Sequence, residues 1–178
     1  MVDLNREKNV FGWSFLTNGV FFLVNNVLPG VYSEVSATIN LTQKLFINAA
    51  KGIENDSLLR MSQIIMKITQ TGEDQVATLS GPSHAEEVSR RMATAVVAAS
   101  TNLDTARHVR ELFRTDYFRV YSTDDIVGVE LGGSLKNVYA IAAGIVDGAG
   151  LGDNTKAALM TRGVVEMTRL GVAMGAKI

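Results

Sequence analysis

The sequence contains no cysteine, and its two histidines, His84 and His108, stand far apart with no acidic partner at ligand spacing. Disulfides and a zinc site therefore have no raw material, no metal is expected, and a reducing, cytoplasmic setting fits. Neither sign of charge dominates, with 17 Lys and Arg against 18 Asp and Glu. Without a positive surplus, nucleic acid and anionic lipid are not expected partners. An unbroken apolar run is also missing. The most hydrophobic stretch, "FGWSFLTNGVFFLVNNVL" at 11–28, is interrupted by Asn18-Gly19 and Asn25-Asn26, which makes it a poor membrane span. Its start carries Asp3, Arg6, Glu7 and Lys8, whereas a secretory signal wants a purely basic start. The Asn-Gly pair between "WSFLT" and "VFFLV" instead predicts a hairpin turn between short strands.

What is present suffices for one sizeable core or two small domains: 178 residues, 47% of them hydrophobic. Up to about residue 123, short β-like runs alternate with helical patterns, which predicts an α/β layer with a parallel, Rossmann-like sheet. "LFINA" at 45–49 reads as a strand, and "DSLLRMSQIIMKI" from Asp56 as an amphipathic helix with apolar residues at 58, 59, 61, 64, 65 and 68. "QVATLSGPS" is a strand running into a Gly-Pro turn, with a short helix starting near His84. "ATAVVAAS" at 93–100 and "FRVYST" at 118–123 are strands. Between them, 102–115 is a helix whose inner face carries Leu103, Ala106, Val109, Leu112 and Phe113. From Asp124 onward, small and apolar residues recur at helical spacing to the end, interrupted by "DGAGLGDNT" at 147–155. The expected division is 1–123, a partial dinucleotide-binding domain with a leader at 1–32, and 124–178, the first part of a helical domain.

Three places could carry chemistry. In Ser80-Gly81-Pro82-Ser83-His84-Ala85-Glu86, Ser83 and Glu86 have capping-box spacing, and helix-start amides at the end of a strand also suit a small anion or hydroxyl. Lys51 follows a strand where open α/β sheets bind ligands, although a solvated loop lysine would look the same. The third place is "ELGGSLKNVYAIAAG" at 130–144. Leu131, Leu135, Val138, Ala142 and Ile145 form a stripe at helical spacing that is expected to be buried. Lys136 lies off that stripe among Gly132, Gly133, Ala140, Ala143 and Gly144. Either its stem covers apolar surface while its head reaches water, or the head sits in a cleft where it can exchange a proton. "GAGLGD" at 148–153 has only the first two glycines of a dinucleotide fingerprint and no strand before it. It reads as a loop between helices, with Asp153 or Asn154 as the next cap.

Together, "NAAKGIE", "LSGPSHAEEV", "TAVVAAS" and "VELGGSLKNVYAIAAGIVDGAGLGDNTKAALMTRGVVEMTRLGVAMGA" resemble the corresponding blocks of the bacterial NAD(P)-dependent glycerol-3-phosphate dehydrogenases, in the same order, from about Ser33 to Ile178. Nothing at 1–32 resembles the strand and Gly-rich turn with which such enzymes open. The resemblance implies an oxidoreductase that interconverts sn-glycerol 3-phosphate and dihydroxyacetone phosphate with NAD or NADP, for glycerophospholipid synthesis. It implies Lys136 as the catalytic lysine, and Lys51, Gly81, Ser83, Lys136 and Asn137 as substrate-binding residues. Lys51 and Ala85 are implied to lie beside the cofactor. A small phosphate-bearing substrate is the expected partner, and a homo-oligomer is compatible with it. The alternative is a non-catalytic remnant whose exposed sheet edge and helical face make it an interaction module.

Overall fold

The structure is a computed structural model that describes residues 20–23 and 44–177. Its elements are β1 (Val20–Leu23), β2 (Leu45–Asn48), α1 (Met61–Thr69), β3 (Val76–Ser80), α2 (Ala85–Ser89), β4 (Thr94–Ala99), α3 (Leu103–Phe113), β5 (Phe118–Thr123), α4 (Ile126–Gly148) and α5 (Gly152–Ala173). The strands form one sheet in the order β1-β2-β3-β4-β5. The α/β class expected from the sequence is therefore present, and "VFFL" at Val20–Leu23 is indeed a strand; its hairpin partner "WSFLT" lies outside the described residues. The sheet is not parallel throughout. β1, β2 and β3 run parallel, β4 runs antiparallel to β3, and β5 is parallel to β4. A parallel return after β3 would need a helix able to span the strand, and α2, with its five residues, reaches only about 7 Å against about 16 Å for β3. The chain turns back instead, through Arg91 in the left-handed region.

The two faces of the sheet differ in chemistry. Ile47, Ala77, Val96, Ala98 and Val120 share one face and pack with Val109 of α3, flanked by Leu79 and Phe113. The period-2 alternation puts Phe46 and Val76 on the other face, where Ile65 of α1 covers them. Farther along, that second face turns polar: Asn48, Thr78 and Ser80 are all buried. Helix α4 packs against β3 and β4, and α5 packs against α4.

Helix starts follow local chemistry more closely than the apolar pattern suggests. The helix expected from Asp56 begins at Met61 because the Glu54 carboxylate gathers Asp56 N, Ser57 N and Ser57 Oγ into a turn, with Leu58 at φ 56°. Leu58 is accordingly exposed. Asn102 caps α3 by accepting from Asp104 N at 2.9 Å, and Asp125 caps α4 by accepting from Gly128 N at 2.9 Å. The capping box expected at Ser83 and Glu86 does not form. α2 starts one residue later than such a box requires, His84 flanks it without a side-chain cap, and Ser83 Oγ points back to the Gly81 carbonyl at 3.5 Å. Neither Asp153 nor Asn154 caps α5. That helix already starts at Gly152, and Asp153 lies within its first turn, where an acid suits the helix dipole.

Two apolar expectations also change. Ala106 and Val109 of α3 are fully buried, but Leu112 is half exposed. On α4 the buried residues are Ile126, Glu130, Leu131, Gly133 and Val146, while Val138 and Ile145 of the expected stripe are more than 60% exposed. Only the first turns of α4 lie on the sheet. Beyond them, α4 touches α5 through the Tyr139 ring, which sits against Gly163, and through Tyr139 Oη, which donates to Glu166 Oε2 at 3.2 Å. Among the described residues, nothing covers the remaining apolar side of the pair.

Candidate active site

The carboxyl ends of β2 and β3, together with the first half of α4, form the region where the expected site residues meet. Lys51 leaves β2 in a three-residue stretch that is tied on both sides. Asn48 donates from Nδ2 to the Ala50 carbonyl at 3.1 Å and accepts from Ala50 N at 2.9 Å. On the other side, Gly52 N donates to Ser134 Oγ of α4 at 3.0 Å. Gly52 has φ +133°, a conformation that L side chains rarely adopt, so the residue after the lysine has to be glycine for the loop to turn here.

Lys136 emerges from α4 half-buried, and its Nζ donates to Asn137 Oδ1 at 2.9 Å. The neighbouring asparagine thus holds the lysine head. Lys51 and Lys136 approach closely enough for their charges to interact. The Lys51 amine titrates below the usual lysine range, first because burial disfavours its charged form and second because the Lys136 cation stands near it. Two cations brought together at a sheet's carboxyl edge favour an anion between them.

The backbone of α4 comes this close to the sheet because position 133 has no side chain. A Cβ on Gly133 would collide with Ser80 Oγ and would lie 3.7 Å from Lys51 Cγ. Ser80, the last residue of β3, is buried, and its hydroxyl has no partner. Gly81 and Ser83 follow in the adjoining turn, both half-buried, and Ala85, the first residue of α2, is exposed. The structure therefore gathers Lys51, Lys136 and Asn137 with the Ser80–Ser83 turn at one end of the sheet. Ser83 hydrogen-bonds to the Gly81 carbonyl and Lys136 to Asn137, so among the described residues no hydrogen bond joins Ser83 or Ala85 to either lysine.

Beneath this surface lies a group that the motif reading quoted without interpreting. Glu130, six residues before Lys136, is 5% exposed. Its Oε1 accepts from Ser62 N at 2.8 Å, Thr78 Oγ1 at 3.1 Å and Asn48 Nδ2 at 3.3 Å. Its Oε2 accepts from Arg60 Nη1 at 2.6 Å and Ser62 Oγ at 2.7 Å. The signal for this cluster was in the alternation. Phe46-x-Asn48 and Val76-x-Thr78-x-Ser80 turn one sheet face from apolar to polar, and a buried polar face requires a partner.

Among the described residues no helix is long and apolar enough to cross a membrane. Nor do three His, Cys, Asp or Glu residues among them stand where they could share a metal ion. The described residues suit the substrate end of a dinucleotide site: an unpartnered buried hydroxyl, two cations and a close helix approach converge where open α/β sheets bind ligands.

Comparison with known proteins agrees with the fold. A family model described as the NAD-dependent glycerol-3-phosphate dehydrogenase N-terminus matches residues 17–106, and its C-terminus counterpart matches residues 125–178. The first match begins at residue 17, inside the 1–32 segment that the motifs alone mark as an unmatched leader. A glycerol-3-phosphate dehydrogenase [NAD(P)+] of Prosthecochloris aestuarii is 58% identical over 144 residues, which cover 80% of this chain and 43% of the relative. One of Oceanobacillus iheyensis is 54% identical over 179 residues, covering 98% of this chain and 52% of the relative. The solved glycerol-3-phosphate dehydrogenase of Coxiella burnetii superposes with a TM-score of 0.74 at 36% identity, covering 89% of this chain and 47% of that one. The chain thus spans about half the length of the curated relatives it matches. Both family models, the high identities and the sheet-plus-helix superposition lead to one assignment: this chain belongs to the NAD-dependent glycerol-3-phosphate dehydrogenase family.

Proposed function

We propose that this chain serves as an oxidoreductase that interconverts dihydroxyacetone phosphate and sn-glycerol 3-phosphate with NAD or NADP, supplying glycerol phosphate for phospholipid synthesis in the cytoplasm. The observation that carries the reading is the pairing of Lys51 with Lys136 at the carboxyl edge of the sheet, on a family match over both halves of the chain. Two adjacent cations suit a phosphate-bearing substrate, and one of them can also act on its carbonyl.

In this reading, bound reduced nicotinamide supplies the hydride that adds to C2 of dihydroxyacetone phosphate. Lys136, as the ammonium, donates a hydrogen bond to the C2 oxygen and then its proton, so the carbonyl becomes a secondary alcohol and the lysine becomes neutral. Oxidation of the alcohol runs the same proton back to the neutral amine. Asn137 Oδ1 orients the Lys136 head. Lys51 faces the substrate and cofactor, Gly81 and Ser83 form the turn against the substrate, and Ala85 lies on the cofactor side. The division of the chain near residue 124 into a nucleotide-binding part and a helical part belongs to the same reading, as does a homo-oligomeric state.

The interaction-module alternative is not favoured, because the family matches and the assembled lysines both speak for the enzyme. Dihydroxyacetone phosphate reduction, followed as oxidation of NADH and of NADPH, tests the proposal. Turnover by the chain that falls by about 10²–10⁴ in Lys136→Ala supports it. Turnover that survives the substitution, or none in the unaltered chain, contradicts it.

A further inference from the structure

We infer that Glu130 is a positioning residue: its buried carboxylate ties helix α4 to β2, β3 and the start of α1, and so holds Lys136 and Lys51 in register with each other. Burying a carboxylate is costly, and an apolar side chain of similar size would serve packing alone at least as well. What the carboxylate offers is direction. Its five hydrogen bonds come from Asn48 on β2, Thr78 on β3, and Arg60 and Ser62 at the start of α1. An apolar side chain could slide along the sheet, whereas this one fits a single rotation and height of the helix.

Both lysines depend on that placement. Lys136 lies six residues along the same rigid helix, with Gly133 fitted against Ser80 in between. Lys51 is reached by two routes. Asn48, which donates to Glu130, also holds Ala50 by two hydrogen bonds, and so shapes the residue before Lys51. Ser134 Oγ donates to the Glu130 carbonyl at 2.8 Å and accepts from Gly52 N, the residue after Lys51. The loop is therefore held on each side of the lysine by a group in contact with Glu130. Glu130 itself touches neither lysine in these hydrogen bonds, and Arg60 is its ion-pair partner at 2.6 Å.

The inference relies on the proposed function only for what the lysines do; whether Glu130 positions them can be read without turnover. Pulse acylation of lysines followed by mass spectrometry, repeated across pH, gives the titration midpoint of Lys51, with the exposed Lys67 as internal standard. The charged group acting on Lys51 is Lys136 of α4, and burial acts in the same direction. Loss of register separates the two amines and admits water, so in folded Glu130→Gln the Lys51 midpoint rises by at least ~0.5 pH unit. A folded Glu130→Gln chain whose Lys51 midpoint equals that of the unaltered chain overturns the inference. If Glu130→Gln does not fold, the pair Ser62→Ala with Thr78→Val removes two donors while keeping the Arg60 partner. The same rise is expected there, and either an unchanged midpoint or a loss of fold in this variant too makes the cluster purely structural and overturns the inference. If dihydroxyacetone phosphate reduction is absent while the midpoint rises as expected, the dehydrogenase proposal fails and the positioning role stands.

Discussion

Lys51 is held against its own preference for water. Its depressed titration means that the charged form is less stable in the folded chain than in the unfolded one. The sign follows. Below the depressed value the lysine is protonated in both states and its burial counts against folding, and this penalty fades as pH rises toward the ordinary lysine value. Lys51→Met should therefore leave the melting temperature at pH 7 equal to or above that of the unaltered chain, while abolishing binding of dihydroxyacetone phosphate. Paired thermal melts and calorimetric titrations check it, and a clear fall in melting temperature would argue that the lysine is structural. Glu54 behaves in the opposite sense. Hydrogen bonds from the Ser57 side chain, Ser57 N and Asp56 N hold its carboxyl at about 2, below the ordinary 4.5. Its contribution to the turn after Lys51 is present above pH 4.5 and is lost as pH falls toward 2. Amide exchange at Ser57 should accelerate, relative to intrinsic rates, over that window and not above it.

Helix α4 owes its position to two neighbours in sequence, Glu130, which anchors it, and Gly133, which lets it approach. Adding a methyl at 133 drives a Cβ into Ser80 Oγ, so Gly133→Ala should destabilise the chain by about 1–3 kcal/mol. Ser80 Cβ lies at an ordinary 3.5 Å from the same point, so removing only the hydroxyl should restore most of the loss. A double-mutant cycle with Ser80→Ala measures this coupling; additive effects would mean that the contact does not set the helix position. The strands and helices themselves were largely legible in the sequence. β2, β3, β4, β5 and α3 stand within a residue or two of their expected limits, because period-2 and period-3.6 patterns are local signals. Less legible was anything that depends on another element. The delayed start of α1 follows from the hydrogen bonds of Glu54, the antiparallel β4 from the shortness of α2, and the role of Glu130 from donors up to 82 residues away. The motif around Lys136 was visible, but its anchor was not, because a glutamate at the front of a helix reads as a solvated charge until the polar sheet face beneath it is placed.

The α4–α5 pair gives the chain a second character. Val138, Ile141, Ile145, Met160 and Val164 are all more than half exposed, an apolar surface unusual for a monomer in water. The expected stripe along α4 failed as a guide to burial because this helix is apolar on several sides, and such a helix is built to be covered on more than one of them. The chain is therefore expected to self-associate as concentration rises. Light scattering should show the change, and Ile141→Lys with Ile145→Lys should reduce it while leaving the lysine pair intact. A strictly monomeric unaltered chain would show that this face is tolerated in water.

Lys51 and Lys136 are proposed to form one site for a phosphate-bearing substrate. Its most direct test is a titration of dihydroxyacetone phosphate into the chain with isotopically labelled lysine side chains, followed by NMR. The Lys51 and Lys136 signals should shift together along one saturation curve, and Lys136→Ala should weaken binding about tenfold or more. Shifts confined to other lysines, or at only one of the pair, would contradict it.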